Sequence, residues 1–190
     1  MTGPAGQAAP PEHPLTLWVL RHAKAVHDPP AGGTDHERSL TRRGRRDASA
    51  LGRRLGQPGD RLGFDERSLP RLVLSSTAAR AAQTAEQVAA GLPGVPVVHR
   101  RSLYGAAPEE ILAELRTLDV DGPVMVVGHN PSAEGLVSAM SSRGPGGDKG
   151  SARPVKLATC ALAVLELTVA SWSEVHMGSA SLLARHAPPY

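Results

Sequence analysis

The stretch Leu15-Thr16-Leu17-Trp18-Val19-Leu20, followed at once by Arg21-His22-Ala23-Lys24, decides how this chain is read. An almost wholly apolar run of strand length suits a parallel strand covered on both faces. In open α/β sheets, ligands bind beyond the carboxyl ends of the strands. The run therefore carries an arginine and a histidine to the place where such folds do chemistry.

The same pattern recurs downstream. Arg71 to Ser75 predicts a second strand, after which Ser76 can cap a helix from Thr77 to about Ala90, ended by Gly91. Val95 to His99 predicts a short third strand. Pro108 suits the first position of a helix through Leu118, with Glu109 and Glu110 favourable in its first turn. Val124 to Val127 predicts a fourth strand, broken by Gly128-His129-Asn130-Pro131, and a helix follows to about Met140. Between the first two strands, Thr41 starts a helical pattern with Ala48, Leu51 and Leu55 on one face. Arg42, Arg43, Arg45, Arg46, Arg53 and Arg54 crowd the rest of it, which reads as a solvated face. Cys160 to Leu167 and Ser173 to Met177 read as two closing strands. Strands that alternate with helices predict an α/β three-layer sandwich, with a mostly parallel central sheet and helices on both faces. Residues 1–14 read as a flexible leader, 15–180 as a single domain and 181–190 as a tail, with a Gly-rich surface loop from Arg143 to Ser151.

Composition narrows the class of function. A chain of 190 residues has room for one domain with a real core. Aromatic residues make up only 3%, too few for the stacking platforms of single-stranded nucleic-acid binding. The net charge of +3 rests almost wholly on arginine, since Lys24, Lys149 and Lys156 are the only lysines. The total count fits a general bias toward Ala, Gly, Pro and Arg, so only a few arginines call for a functional reading. Cys160 is the one cysteine, which excludes an internal disulfide and fits a reducing, cytoplasmic setting. No run is long enough for a signal peptide or a membrane anchor.

If the strands are parallel, three of their ends meet. Arg21 and His22 follow the first, Ser75-Ser76-Thr77 leads from the second to Arg80, and His129 follows the fourth. Guanidinium forks match the oxygens of a phosphoryl group. A neutral imidazole can attack phosphorus and carry the group covalently. A second histidine can hydrogen-bond the transferring group, and such a site needs no metal or other cofactor. Neighbouring cations should hold the pKa of the nucleophile down.

Taken together, Leu20-Arg21-His22-Ala23-Lys24, Ser75-Ser76 with Arg80-Ala81-Ala82-Gln83-Thr84, and Val127-Gly128-His129-Asn130-Pro131 resemble the histidine phosphatase superfamily, with its phosphoglycerate mutase-like fold. Within it the chain is most similar to the small SixA-type phosphohistidine phosphatases, which share the small residue and lysine of the first motif. They also share a segment like Arg38-Ser39-Leu40-Thr41 and lack a large cap. The resemblance spans about Leu15 to Leu167. It implies that His22 is the nucleophile and that Arg21, Arg80 and His129 complete the phosphate pocket. Lys24 and Arg38 are implied as helpers in substrate binding, and Asn130 as a residue that shapes the loop beside it. The implied partners are a phosphorylated protein or a small phosphorylated metabolite. Larger relatives use a glutamate as proton donor, but Leu103-Tyr104-Gly105 has none beside it here. Asp35, Glu37 and Glu109 are the remaining candidates. A missing acid favours an activated phosphoramidate over a simple ester.

Other readings weigh less. His22, His129 and a carboxylate such as Asp35 could bind zinc, but no paired-ligand spacing is present and two arginines would repel the ion. Cys160 is followed by an apolar run with no arginine, unlike a phosphate-cradling loop. Asp119-Val120-Asp121 precedes a strand and reads as a turn. No Gly-x-x-x-x-Gly-Lys-Ser/Thr loop occurs. His27, His36, His99, His176 and His186 read as surface or packing residues. A mutase, or a binding module that has lost turnover, remains the alternative use of the same pocket.

Overall fold

Along the first strand, side chains alternate between two separate cores. Leu17 and Val19 enter one; Trp18 and Leu20 enter the other. That strand, β1 (Thr16–Arg21), is therefore sandwiched. The computed structural model describes residues 15–141 and 155–190. The leader 1–14 and the loop from Arg143 to Ser151 fall outside the described residues. The other strands are β2 (Leu72–Ser76), β3 (Val97–Arg100), β4 (Val124–Gly128), β5 (Leu162–Leu167) and β6 (Ala180–His186). The helices are α1 (Arg42–Gly56), α2 (Ala79–Ala89), α3 (Pro108–Arg116) and α4 (Ser132–Met140). The strands form one sheet in the order β3-β2-β4-β1-β5-β6. Pairings β1–β4, β2–β4 and β2–β3 are parallel, while β1–β5 and β5–β6 are antiparallel. The α/β sandwich is thus a mixed sheet with its parallel part on the side of β1 to β3.

Helices α1 and α2 cover one face, where Ala48, Leu51, Leu55, Ala81, Ala85 and Val88 join Trp18 and Leu20. Helices α3 and α4 cover the other through Ile111, Leu112, Leu115, Leu136, Val137 and Met140. Each leucine fully buried in these layers contributes roughly 2 kcal/mol through lost apolar hydration.

Local chemistry sets the helix starts. Thr41 caps α1, its Oγ1 accepting from Gly44 N at 3.0 Å. The same residue ties α1 to the end of β1, since Thr41 N donates to Lys24 O at 2.8 Å and Thr41 Oγ1 donates to it at 3.0 Å. Pro108 takes the first position of α3 as expected. Ser76 does not cap α2. It ends β2, and α2 begins at Ala79 with Ala78 as its cap residue.

Two expectations near the end of the chain need correction. Cys160 is not in a strand; it occupies a left-handed turn (φ 61°) from which β5 departs two residues later. Ser173 to Met177 is not a strand either. A 3-10 turn at Trp172–Glu174 lies there, anchored by Trp172 Nε1 donating to Gly122 O at 3.1 Å. The closing strand is β6, so the sheet runs on past residue 180 into the segment read as a tail. β6 is an edge strand with four of its seven residues exposed, and its apolar stretch Leu182-Leu183-Ala184 is too short to mark it.

Gly44 stands where a Cβ would meet Lys24 O at 2.2 Å. Gly44→Ala should therefore push the start of α1 away from the end of β1. The expected loss is about 2 kcal/mol of unfolding free energy, read by urea denaturation.

Candidate active site

Parallel pairing in register sets Arg21 against Gly128. The next residue of each strand is a histidine, and the two rings lie 5.1 Å apart between centroids. His22 N donates to Gly128 O at 2.9 Å, fixing the backbone at the end of β1. A cavity of about 250 Å³ opens there, with Arg21, His22, Lys24, Arg38, Arg80, His129, Asn130 and Thr159 on its wall. All seven residues singled out from the sequence line it. A larger hollow of about 410 Å³ lies at the opposite, amino-terminal end of β2, and no histidine lines it.

The hydrogen bonds assign the histidine tautomers. His22 Nδ1 lies 2.8 Å from Ala23 O, and a carbonyl can only accept, so Nδ1 carries the proton and the Nε2 lone pair is free. Burial lowers the pKa of His22 to about 4, with Arg80, Arg21 and Arg38 adding to the effect and the Ala23 carbonyl opposing it. His129 falls to about 3, again mainly through burial, then through His22 and Arg80. Both rings are neutral near pH 7. His129 Nε2 lies 3.0 Å from Ser76 Oγ, which also accepts from Ala78 N at 3.3 Å.

The arginines are held by backbone carbonyls and one carboxylate. Arg21 Nη1 donates to Leu157 O at 2.8 Å, and Asn130 Nδ2 donates to the same oxygen at 3.0 Å. Arg80 is 7% exposed, yet its guanidinium reaches Asp35 O at 2.7 Å and Asp35 Oδ2 at 2.8 Å. Arg38 Nη1 donates to Asp35 Oδ1 at 2.7 Å, and its Nε and Nη2 donate to Val26 O. Asp35 also accepts from the Tyr104 hydroxyl at 3.0 Å. Arg21 Nε, His129 Nδ1 and Asn130 Oδ1 are buried with no partner among the described residues. Three wall residues thus keep unspent hydrogen-bonding capacity, as do Arg61 Nε and His186 Nε2 away from the cavity.

The acid candidates separate. Arg38 first, then Tyr104 and Arg80, hold the Asp35 carboxyl well below the usual carboxylate range. Ionised, and bonded to Arg38, Arg80 and Tyr104, it organises arginines and has no proton to give. Glu37 turns to Thr34, whose amide and hydroxyl lower its pKa. Glu109 sits in the exposed first turn of α3. None of the three lines the cavity. Among the described residues no group of three His, Cys, Asp or Glu is placed to hold a metal ion. Cys160 is buried and its thiol is pushed up to about 12, which leaves it inert.

Sequence reasoning missed several supports. Gln83 Oε1 accepts from Leu40 N at 2.8 Å, and Thr84 Oγ1 accepts from Ala23 N at 3.0 Å, so the residues after Arg80 brace the loops on either side. Their place inside the second motif was the available signal. His36, read as a packing residue, bonds Thr77 Oγ1 at 2.9 Å and meets the Tyr104 ring edge-on. Tyr104 in turn meets His129 edge-on.

A hollow walled by two neutral histidines and three arginines suits an anionic group such as a phosphoryl. The chain belongs to the histidine phosphatase superfamily. The profile of branch 1 of that superfamily matches residues 17–105. An uncharacterized protein of Mycobacterium tuberculosis is 34% identical over 174 residues, covering 89% of this chain and 99% of that one. A structure from Nakamurella multipartitia, described as a candidate phosphohistidine phosphatase SixA, superposes with a TM-score of 0.75 at 30% identity, covering 95% of this chain and 99% of the other. A candidate SixA from Agrobacterium tumefaciens gives a TM-score of 0.70, also at 30% identity, covering 93% of this chain and 100% of the other.

Two outcomes follow from this geometry. Asp35→Asn keeps the shape but removes the charge that holds Arg80 and Arg38; kcat/KM toward an aryl phosphate should fall about tenfold, an effect of about 1.4 kcal/mol. The lowered histidine pKa values also set an acid limit. Between pH 6.5 and about 4 the unfolded chain binds protons at His22 that the folded chain refuses, so stability falls as pH drops through that window. His22→Gln should flatten that fall in thermal melts recorded from pH 7 to 4.

Proposed function

We propose that the protein is a metal-independent phosphatase that works through a phosphorylated His22 and acts on phosphohistidine or small phosphomonoesters. The observation that carries this reading is the His22 ring. Its Nδ1 is committed to Ala23 O, while Nε2 is free and the ring stays neutral among arginines. In the first step Nε2 attacks phosphorus as the bond from phosphorus to the leaving group breaks. Arg21, Arg38 and Arg80 line the space where the phosphoryl oxygens gather charge. With Ser76 Oγ accepting from Ala78, its own proton is available to His129 Nε2. In that tautomer His129 Nδ1–H remains to donate to a phosphoryl oxygen. Water then attacks the phosphohistidine, Nε2 leaves, and phosphate is released.

Among the described residues, no carboxylic acid lines the cavity. A phosphoramidate leaving as imidazole needs less proton transfer than an alkoxide, which supports phosphohistidine as the preferred substrate class. Lys24, on the wall and exposed, would meet the substrate's remaining charge. Among the described residues no helix is long and apolar enough to cross a membrane, and we place the reaction in the cytoplasm on a phosphorylated protein or metabolite.

Rapid quench of wild type and His22→Ala with a ³²P-labelled aryl phosphate tests the route. Acid-labile, base-stable label is expected on wild type and none on the variant. Turnover that persists without His22 would overturn the assignment. Equal kcat/KM for phosphohistidine and for alkyl phosphates would overturn the substrate preference.

A further inference from the structure

Helix α1 starts against the rule for helix ends. A helix amino terminus carries partial positive charge and favours acidic side chains. The first turn of α3 obeys, with Glu109 and Glu110. The first turn of α1 has no acidic residue and opens Arg42-Arg43, with Arg46 one turn on. Local rules broken without local compensation point to a use elsewhere.

Most of the neighbouring cations are engaged. Arg43 pairs with Asp47 at 3.4 Å, Arg45 donates to Leu40 O, Arg53 bonds Ser49 at 3.0 Å, and Arg54 pairs with Asp60 at 2.7 Å. Arg42 and Arg46 are exposed and lie four residues apart on one helix face. Beside Arg42, Thr41 is bonded to Lys24 O, and Lys24 lies on the cavity wall. An unbalanced positive strip therefore leads along α1 to the catalytic cavity.

We propose that Lys24, Arg42 and Arg46 form a docking strip for an acidic protein segment that bears the phosphorylated side chain. This rests on the phosphatase reading given above. Charge complementarity favours such a partner and speeds its encounter. α1 has no aromatic residue on which a base could stack, so a single-stranded nucleic acid fits poorly. Its apolar residues Ala48, Leu51 and Leu55 are buried, so the exposed face has nothing to insert into a lipid surface.

The test uses the full chain, wild type and Arg42→Glu/Arg46→Glu. Glutamate suits the start of a helix, so the variant should melt no lower than wild type. Phosphohistidine peptides flanked by glutamates or by glutamines are compared with free phosphohistidine. Wild type should prefer the glutamate peptide by about tenfold in kcat/KM at low ionic strength, with the preference shrinking in high salt. The variant should lose that preference and keep its rate on free phosphohistidine. Equal rates for both peptides in wild type, or a preference that survives in the variant, would overturn the proposal. If no phosphohistidine substrate turns over, the phosphohistidine preference fails, and docking is then read by fluorescence anisotropy of the same peptides without phosphate. Tighter binding of the glutamate peptide, lost in the variant, upholds the strip. Equal binding overturns it, as does tighter binding of an RNA oligonucleotide of matched charge or of vesicles rich in phosphatidylserine.

Discussion

The parallel register of β1 on β4 is the constraint from which the rest of the site follows. It sets Arg21 opposite Gly128, and the residue after each is a histidine. Two imidazoles distant in sequence become neighbours because of one row of backbone hydrogen bonds, extended by His22 N to Gly128 O. β2 lies on the far side of β4 and adds Ser76 at the same edge. A slip of one residue would reverse the facing of β1, moving Leu17 and Val19 into the wrong core. Packing of the two cores and placement of the two histidines are therefore enforced by the same pairing.

Electrostatics then finishes what the register begins. Arginines and histidines are crowded into one hollow, and burial keeps the rings neutral. The cations do not repel one another apart because Asp35, Leu157 O and Val26 O each accept from them. Asp35 is the pivot: one carboxylate, half open to solvent, receives Arg80, Arg38 and Tyr104. A hollow walled by cations is held together by an anion of its own.

Much of this was legible in sequence because buried parallel strands are written as uninterrupted apolar runs, and their ends as abrupt polar breaks. Thr16 to Leu20 and Val124 to Val127 show this, and both histidines could be placed from it. Edge and turn positions carry weaker signals. β6 is largely exposed, and its apolar stretch Leu182-Leu183-Ala184 is too short to mark a strand. Cys160 looked like the first residue of a strand because nothing in its side chain marks a left-handed turn. Asp35 stood out only as a carboxylate near the first motif. Its role as acceptor for two arginines depends on contacts that cross 45 positions between Asp35 and Arg80, which no local pattern records.

The placement of β1 at the middle of the sheet has a consequence for how the molecule comes into being. This strand must wait for β4 and β5, which start only at Val124 and Leu162, before either of its edges is paired. No fragment that ends before β4 brings the two histidines together. The pairing of His22 with His129 therefore depends on long-range contacts, and a chain cut short of β4 lacks it.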